Sequence, residues 1–432
     1  MSAPPSQSLV LSFEDARRSV EQHASTLSPG SRETVDLLKS AGRILAEPVT
    51  ADRDIPPFPR ATRDGYAVHS GELKTLPAKL KIAGEIKAGA SDQPPVLNSG
   101  EAFSIMTGAA VPSGADAVVM VEYTSRQNNF VEITKGADPG ENIVPQGAEA
   151  KRAALVLNRG TRINEAAIAL AASVGKSRVE VFARPRVAVL TTGDEIVDIA
   201  SQPGPSQIRN SNSYSLAVQI QQAGAEPVLL PIAPDEPHRL CQLIEQGLQS
   251  DLLIITGGVS MGRYDLVEQV LSEMQAEFFF TGAKIQPGRP VVFGRTRAKA
   301  RSRAEPALSL PKGVPAPHSY FFGLPGNPIS TMVTFELFAR PIIAALCGMS
   351  SHPLVFLHAR LKSAVHVKTG LTRFLPAILS GEFGNSNVEL VPWQGSGDIA
   401  AQVRANCYVV VPPEREHIPA GEWVAVMPRH FI

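Results

Sequence analysis

Three glycine-bearing segments hold most of the polar chemistry in this sequence. They are Thr191-Thr192-Gly193-Asp194-Glu195, Thr256-Gly257-Gly258-Val259-Ser260-Met261-Gly262 and Pro325-Gly326-Asn327-Pro328. Each follows a short apolar run, and the last opens a helical pattern. Glycine lets backbone amides come close to an anion, and a helix N-terminus behind such a loop favours negative charge. Acids gather with these loops: Asp194 and Glu195 in the first, Asp235 after Pro234, and Asp265 just beyond the second. Carboxylates at neighbouring strand ends repel one another and call for a cation or donors nearby. Hard oxygens of this kind suit a divalent metal or the hydroxyls of a ligand. Each acid also has a structural role open to it, Asp235 and Asp265 as helix N-caps and Asp194 and Glu195 as turn residues. None of the strings is a Walker loop or a dinucleotide fingerprint in its proper place. The residues alone therefore point to a phosphorylated or nucleotide-like ligand with magnesium, and no further.

A second group lies earlier and later in the chain. Arg63-Asp64-Gly65-Tyr66 and Ile105-Met106-Thr107-Gly108 read as turns, or as polar groups offered to a ligand. Lys284, Arg289 and Arg295 flank Pro287-Gly288; such cations are usually solvated, yet an oxyanion substrate would need some of them.

The elements that must position these residues follow from periodicity. Phe13 to Lys39 reads as helix, with Phe13, Ala16, Val20, Val35 and Leu38 near helical spacing and a break at Ser28-Pro29-Gly30. From Val49 to about Thr134 short apolar runs alternate with Pro and Gly, which predicts a small β domain. After Gly160 the helical texture returns, opened by Asn164-Glu165 and closed by Gly175. From Pro185 to Ala345 strands and helices alternate, which argues for an open parallel sheet with right-handed crossovers. Ligands bind such sheets at the carboxyl ends of the strands, where the glycine loops lie. A basic segment from Arg295 to Pro317 reads as a solvated surface loop. The tail from Ser351 has strand-like runs and Gly turns, as a small β-barrel does. The expectation is a multidomain α/β and β protein: a discontinuous helical domain over 8–48 and 140–180, an inserted β domain over 49–139, an α/β domain over 181–348 and a β-barrel over 349–432.

Composition narrows the partners. Lys plus Arg and Asp plus Glu both number 41, so no global field favours nucleic acid or an anionic membrane. The three cysteines, Cys241, Cys347 and Cys407, have no metal-ligand or disulfide spacing. The most apolar stretch, Met332–Met349, is broken by Glu336, Arg340 and Pro341, and the first residues do not resemble a secretory signal. A soluble cytoplasmic protein is expected.

In their order, the pieces resemble the molybdopterin molybdenumtransferase family, whose eukaryotic relatives include the E domain of gephyrin. The matching strings are DGYAV at Asp64, IMTGAAVPSGADAVVMVE at Ile105, VAVLTTGDEIV at Val187, IRNSN at Ile208, TGGVSMGRYD at Thr256 and FGLPGNPISTMVTFELFARP at Phe322. The match as a whole runs from roughly Ala16 to Met427, nearly the whole chain. The resemblance implies a homodimer whose site lies between the α/β domain of one subunit and the β insert of the other. The reaction it implies converts adenylylated molybdopterin and molybdate, with Mg2+, into molybdenum cofactor and AMP. A molybdopterin adenylyltransferase and the apo-molybdoenzymes would then be pathway partners. By motif, Asp64 and Thr107 would be the insert's contribution. Glu195, with Asp194, Asp235 and Asp265, would hold the pterin, its phosphate and the metal, Glu195, Asp235 and Asp265 being the metal ligands. Asp64, Thr107, Glu195, Asp235 and Asp265 form the catalytic set. Gly257, Gly258 and Ser260 would form the anion loop, Lys284 and Arg289 would face the oxyanion, and Pro328 and Ser330 would sit close to molybdate.

Four departures fall on this pattern. Ala61-Thr62-Arg63 stands where Ser-Ala-Met is usual, and Gln286-Pro287-Gly288-Arg289 where Lys-Pro-Gly-Lys is usual. Leu371 and Pro376 stand where arginines are usual, leaving Lys284 and Arg373 as the nearest bases. Two alternatives stay open: an adenylyltransferase, which uses the same α/β module, and a carrier or scaffold that holds molybdopterin without chemistry.

Overall fold

Val187–Leu190 and Leu252–Ile255 are fully buried, as expected of strands covered on both faces. The computed structural model describes residues 9–89, 95–258, 266–297, 318–349, 354–382 and 384–429. The chain divides into two compact units, Met1–Glu33 with Gly42–Ala46 and Val181–Ile432, and Thr34–Ala41 with Glu47–Glu180.

In the first unit six strands are ordered Glu226–Leu229, Arg186–Thr191, Leu252–Thr256, His318–Leu324, Val292–Arg297 and Glu277–Phe280. The first four run parallel, and the last two join antiparallel. The expected parallel sheet is thus mixed at one edge. Between Phe280 and Val292 there is no helix to carry a parallel crossover, so the chain turns back on itself. Alternate residues feed opposite faces. Val187, Val189, Leu252 and Ile254 pack with Leu216 and Ile220 of the helix Asn212–Gln222. Ala188, Leu190, Leu253 and Ile255 meet Leu240 and Leu243 of Pro237–Gly247, and Val267 and Val270 of Leu266–Glu273. On the outermost strand the amides of Glu226 and Leu230 donate inward to Pro185 and Val189. Pro227 lies between them, and Leu229 is exposed.

Helix Phe13–Ala24 is capped by Ser12, whose hydroxyl accepts the Asp15 amide at 3.0 Å. Ala16 and Val20 join the core of the first unit. The helical reading fails beyond it. Arg32–Asp36 is a strand and Leu37–Ser40 a 3-10 turn, because two apolar positions make a weak helical period and Thr34-Val35 is β-branched.

The helix from Pro328 to Leu346 is buried on several sides through Ile329, Val333, Leu337, Phe338 and Ile342. Of the described helices it alone is long and apolar enough to cross a membrane, and most of it lies inside the protein. Its middle, Phe335–Ala339, is a π turn. Pro341 explains it: proline lacks the N–H that would reach the carbonyl of Leu337, and its ring crowds that carbonyl. Arg17 fills the gap, donating Nη1 to Leu337 O at 2.6 Å.

Residues 357–428 close into a five-stranded barrel. Its order runs Thr372–Ser380, Asn387–Leu390, Leu357–Leu361, Trp423–Pro428, Cys407–Val411 and back to Thr372–Ser380. Ala359, Leu361, Ala377, Val388, Val409 and Val426 fill it. Ile285–Gln286 adds to it as a short parallel strand, pairing with Thr372 and Arg373.

The second unit holds a six-stranded sheet ordered Ala117–Met120, Gly65–Val68, Glu101–Ile105, Ala78–Ile86, Phe130–Ile133 and Thr124–Gln127. Tyr66, Val68 and Val119 serve one core, and Ala67, Phe103 and Val118 the other. The helix Glu165–Ser173 is capped by Asn164, which accepts the Ala167 amide at 2.9 Å.

Candidate functional site

The carboxyl ends of the parallel strands are stitched together by backbone. The Thr192 amide donates to Thr256 O, Gly193 to Ala233 O and Gly257 to Leu324 O. Gly257 and Gly258 both have positive φ, +88° and +63°. A Cβ on Gly257 would lie 2.5 Å from Thr192 O, and one on Gly258 2.7 Å from Thr192 Oγ1. Only glycine allows this approach, so the two predicted loops are one polar floor.

Beneath that floor lies a network the loops alone did not reveal. Asn212 Nδ2 donates to Thr256 Oγ1 at 3.0 Å and to Gly326 O at 2.7 Å. Thr191, Asn210 and Ser213 bond to one another beside it. Thr192 Oγ1 and Asn212 Oδ1 are buried and have no partner among the described residues. Buried oxygens left in this state are costly, and a ligand with donor groups would satisfy them. The signal for this network was the string Ile208-Arg209-Asn210-Ser211-Asn212, which mattered only through the resemblance.

The acids sit at the rim. Asp194 Oδ1 accepts the backbone amide of Asp235 at 3.0 Å. Desolvation, then the charge of Asp194 and that of Glu195, raise the Asp235 carboxyl above the ordinary aspartate range. Asp235 is not the N-cap of the helix that follows; that position is Glu236, with Pro237 in the first turn. The capping role therefore goes to none of its atoms, and its carboxylate remains available. Among the described residues no three His, Cys, Asp or Glu groups stand together as a metal site. Of the expected residues, Ser260 and Asp265 lie outside the described ones, as does the basic segment beyond Arg297.

Lys284 and Arg289 are exposed on the turn around Pro287-Gly288. A Cβ on Gly288 would meet Thr334 Cγ2 at 2.4 Å and Ser330 O at 3.5 Å, so this turn lies directly on the helix start that carries Pro328 and Ser330. The structure thus brings Lys284, Arg289, Pro328 and Ser330 to one region. Arg295, also flagged, instead pairs with Glu277 at 2.6 Å and lies over the Phe279 ring. Next to the turn opens a cleft of about 520 Å³, walled by Gln286, Arg373, His366, Lys368, Trp393 and Glu416 among others. Arg373 is 6% exposed, donates Nε to Gln286 Oε1 at 2.8 Å, and has no acidic partner among the described residues. Burial lowers its pKa. A buried guanidinium without a carboxylate is an anion site in waiting. The sequence marked Arg373 as the nearest base but gave no sign of His366, Trp393 or Glu416.

In the second unit Asp64 and Thr107, 43 residues apart, meet. The Thr107 amide and hydroxyl both donate to Asp64 Oδ1, at 2.6 and 2.9 Å. These bonds hold the Asp64 carboxyl below the usual range, and the pair faces solvent.

Comparison with known proteins agrees with this layout. Residues 11–175 match the model of the MoeA N-terminal region, 188–345 that of a probable molybdopterin binding domain, and 358–428 that of the MoeA C-terminal region. A molybdopterin molybdenumtransferase of Nostoc sp. is 34% identical over 91% of this chain and 88% of its own length. One from Haemophilus influenzae is 31% identical over 94% and 95%. A molybdopterin biosynthesis MoeA protein of Pyrococcus horikoshii has a solved structure that superposes with a TM-score of 0.69 at 31% identity, covering 97% of this chain and 99% of that one. Taken with the strand-end floor and the Asp64–Thr107 pair, these matches show that the chain belongs to the molybdopterin molybdenumtransferase family.

Proposed function

We propose that this protein inserts molybdenum during molybdenum cofactor biosynthesis, taking adenylylated molybdopterin and molybdate to molybdenum cofactor and AMP. The observation that carries the reading is the pairing, in one unit, of a polar strand-end floor with buried unpartnered oxygens and a cleft, lined by Glu416 among others, whose buried guanidinium makes no ion pair among the described residues. The first suits a pterin with its phosphate, and the second a tetrahedral oxyanion. In this reading the buried oxygens of Thr192 and Asn212 accept from donors of the pterin, and the Gly257-Gly258 loop holds its phosphate. Lys284, Arg289 and Arg373 hold molybdate against it, close to Pro328 and Ser330. Fixing the two reactants side by side supplies much of the rate.

The rim acids fit Mg2+ by donor chemistry. They are hard oxygens, and Asp235 holds its proton more tightly through desolvation first and then the charges of Asp194 and Glu195. Glu195 and Asp235, with Asp265 from outside the described residues, would hold Mg2+, and when bound it would neutralise the phosphoanhydride. The rest of the proposal follows from the resemblance: a cytoplasmic homodimer in which Asp64 and Thr107 serve the site of a partner copy, fed by an adenylyltransferase and serving apo-molybdoenzymes.

The test incubates the purified protein with adenylylated molybdopterin, molybdate and Mg2+, and follows AMP release and reconstitution of an apo-molybdoenzyme. Molybdate-dependent AMP release with reconstitution is expected; tight pterin binding without either product would instead make the chain a carrier. Asp64→Asn should keep the fold and its melting temperature while lowering turnover at least about a hundredfold, the scale of a lost group in general acid–base or electrostatic catalysis. Wild-type turnover in that variant would remove Asp64 from the mechanism.

A further inference from the structure

Position 286 is glutamine and position 371 leucine, where the family resemblance implies a lysine and an arginine. The parallel pairing of Ile285–Gln286 with Thr372–Arg373 sets residues 286 and 373 side by side. Arginine has five donors and no acceptor, so the Gln286 atom facing Arg373 Nε at 2.8 Å is its oxygen. A second donor of the same guanidinium, Nη1, reaches Leu371 O at 3.2 Å. Two backbone and carboxamide oxygens thus fix the plane of a buried cation that has no acidic partner among the described residues. The carboxamide NH2 of Gln286 and the remaining guanidinium hydrogens make no bond among those residues, and both side chains line the cleft.

We propose that Gln286 is a positioning residue that orients Arg373 as the principal buried cation of the oxyanion site, so that in this protein one neutral acceptor and one guanidinium do the work of a cation pair. This rests on the reading of the cleft as the molybdate site. The electrostatics set the direction. A lysine at 286 would remove the acceptor of the Arg373 guanidinium and set a second cation against it, while Glu416, which also lines the cleft, makes no ion pair with Arg373. Restoring the usual lysine should therefore harm this protein rather than help it. Glutamate at 286 would hold Arg373 even more firmly but cancel its charge before any oxyanion arrived.

The experiment measures molybdate binding to the full-length protein by equilibrium dialysis, alongside molybdate KM, kcat and melting temperature. Gln286→Glu is expected to melt at or above the wild-type temperature yet bind molybdate about tenfold more weakly or worse, the scale of one charge-assisted hydrogen bond. Gln286→Lys should also weaken binding about tenfold, chiefly in KM. Moving the cation, with Gln286→Lys and Arg373→Gln together, should recover most of the loss. Gln286→Lys binding as tightly as wild type, or Gln286→Glu binding unchanged, would overturn the positioning role. Arg373→Gln alone leaving molybdate binding intact would instead overturn the assignment of the cleft, whatever Gln286 does.

Discussion

Asp64 and Asp235 are both exposed aspartates, and their surroundings move them in opposite directions. Thr107 stabilises the charged form of one; burial, Asp194 and Glu195 oppose it in the other. A carboxyl whose proton is held more tightly in the folded chain favours folding at low pH, and that advantage is lost as pH rises through its folded-state value. Asp235→Asn should therefore raise the melting temperature near neutral pH, with the gain vanishing below the ordinary aspartate value of 3.8, while molybdenum insertion falls. Differential scanning fluorimetry across that range checks it, and an unchanged melting temperature at neutral pH would mean that neither desolvation nor the neighbouring acids penalise the Asp235 charge. Much of the rim was legible from Gly193-Asp194-Glu195 and Pro234-Asp235, because glycine and acid types announce turns and charge. Arg373 and Gln286 were visible only as departures. Their meeting depends on a strand pairing between positions 87 apart, which no local pattern encodes.

At the scale of elements, the contact between Arg17 and Leu337 shows how one helix repairs another. Pro341 takes away the donor to a buried carbonyl, and an arginine 320 residues away in sequence supplies it. Arg17→Leu keeps the apolar stem but leaves that carbonyl unpaired, a loss of about 1–3 kcal/mol. Urea unfolding of the variant measures it, and wild-type stability would show that the π turn satisfies itself. The strands Arg186–Thr191 and Leu252–Thr256 were readable because a short continuous apolar run fits a strand buried on both faces. The antiparallel edge was not, because direction is set by the connection and not by the strand's own residues. The helical reading fails at Arg32–Asp36 because Val35 and Leu38 are too few to fix a period and Thr34-Val35 is β-branched.

For the molecule as a whole, the core of the α/β sheet is not self-contained. Ala16 and Val20 enter it from the N-terminal helix, and Phe374, Tyr408 and Met427 from the barrel. A fragment of residues 181–348 should consequently melt below the full chain or aggregate; a monodisperse fragment with the full chain's melting temperature would refute that. Among the described residues the same sheet ends at Glu226–Leu229, with no further strand paired to it. Since the amides of Glu226 and Leu230 point inward, the alternate ones point out, and Pro227 removes one of them. A second chain laid along this edge would find a missing rung just beside the exposed Leu229. Pro227→Val would restore the rung, and light scattering should then show concentration-dependent self-association. If that association appears, the absence of a single amide hydrogen at position 227 is what keeps one copy's sheet from extending into the next.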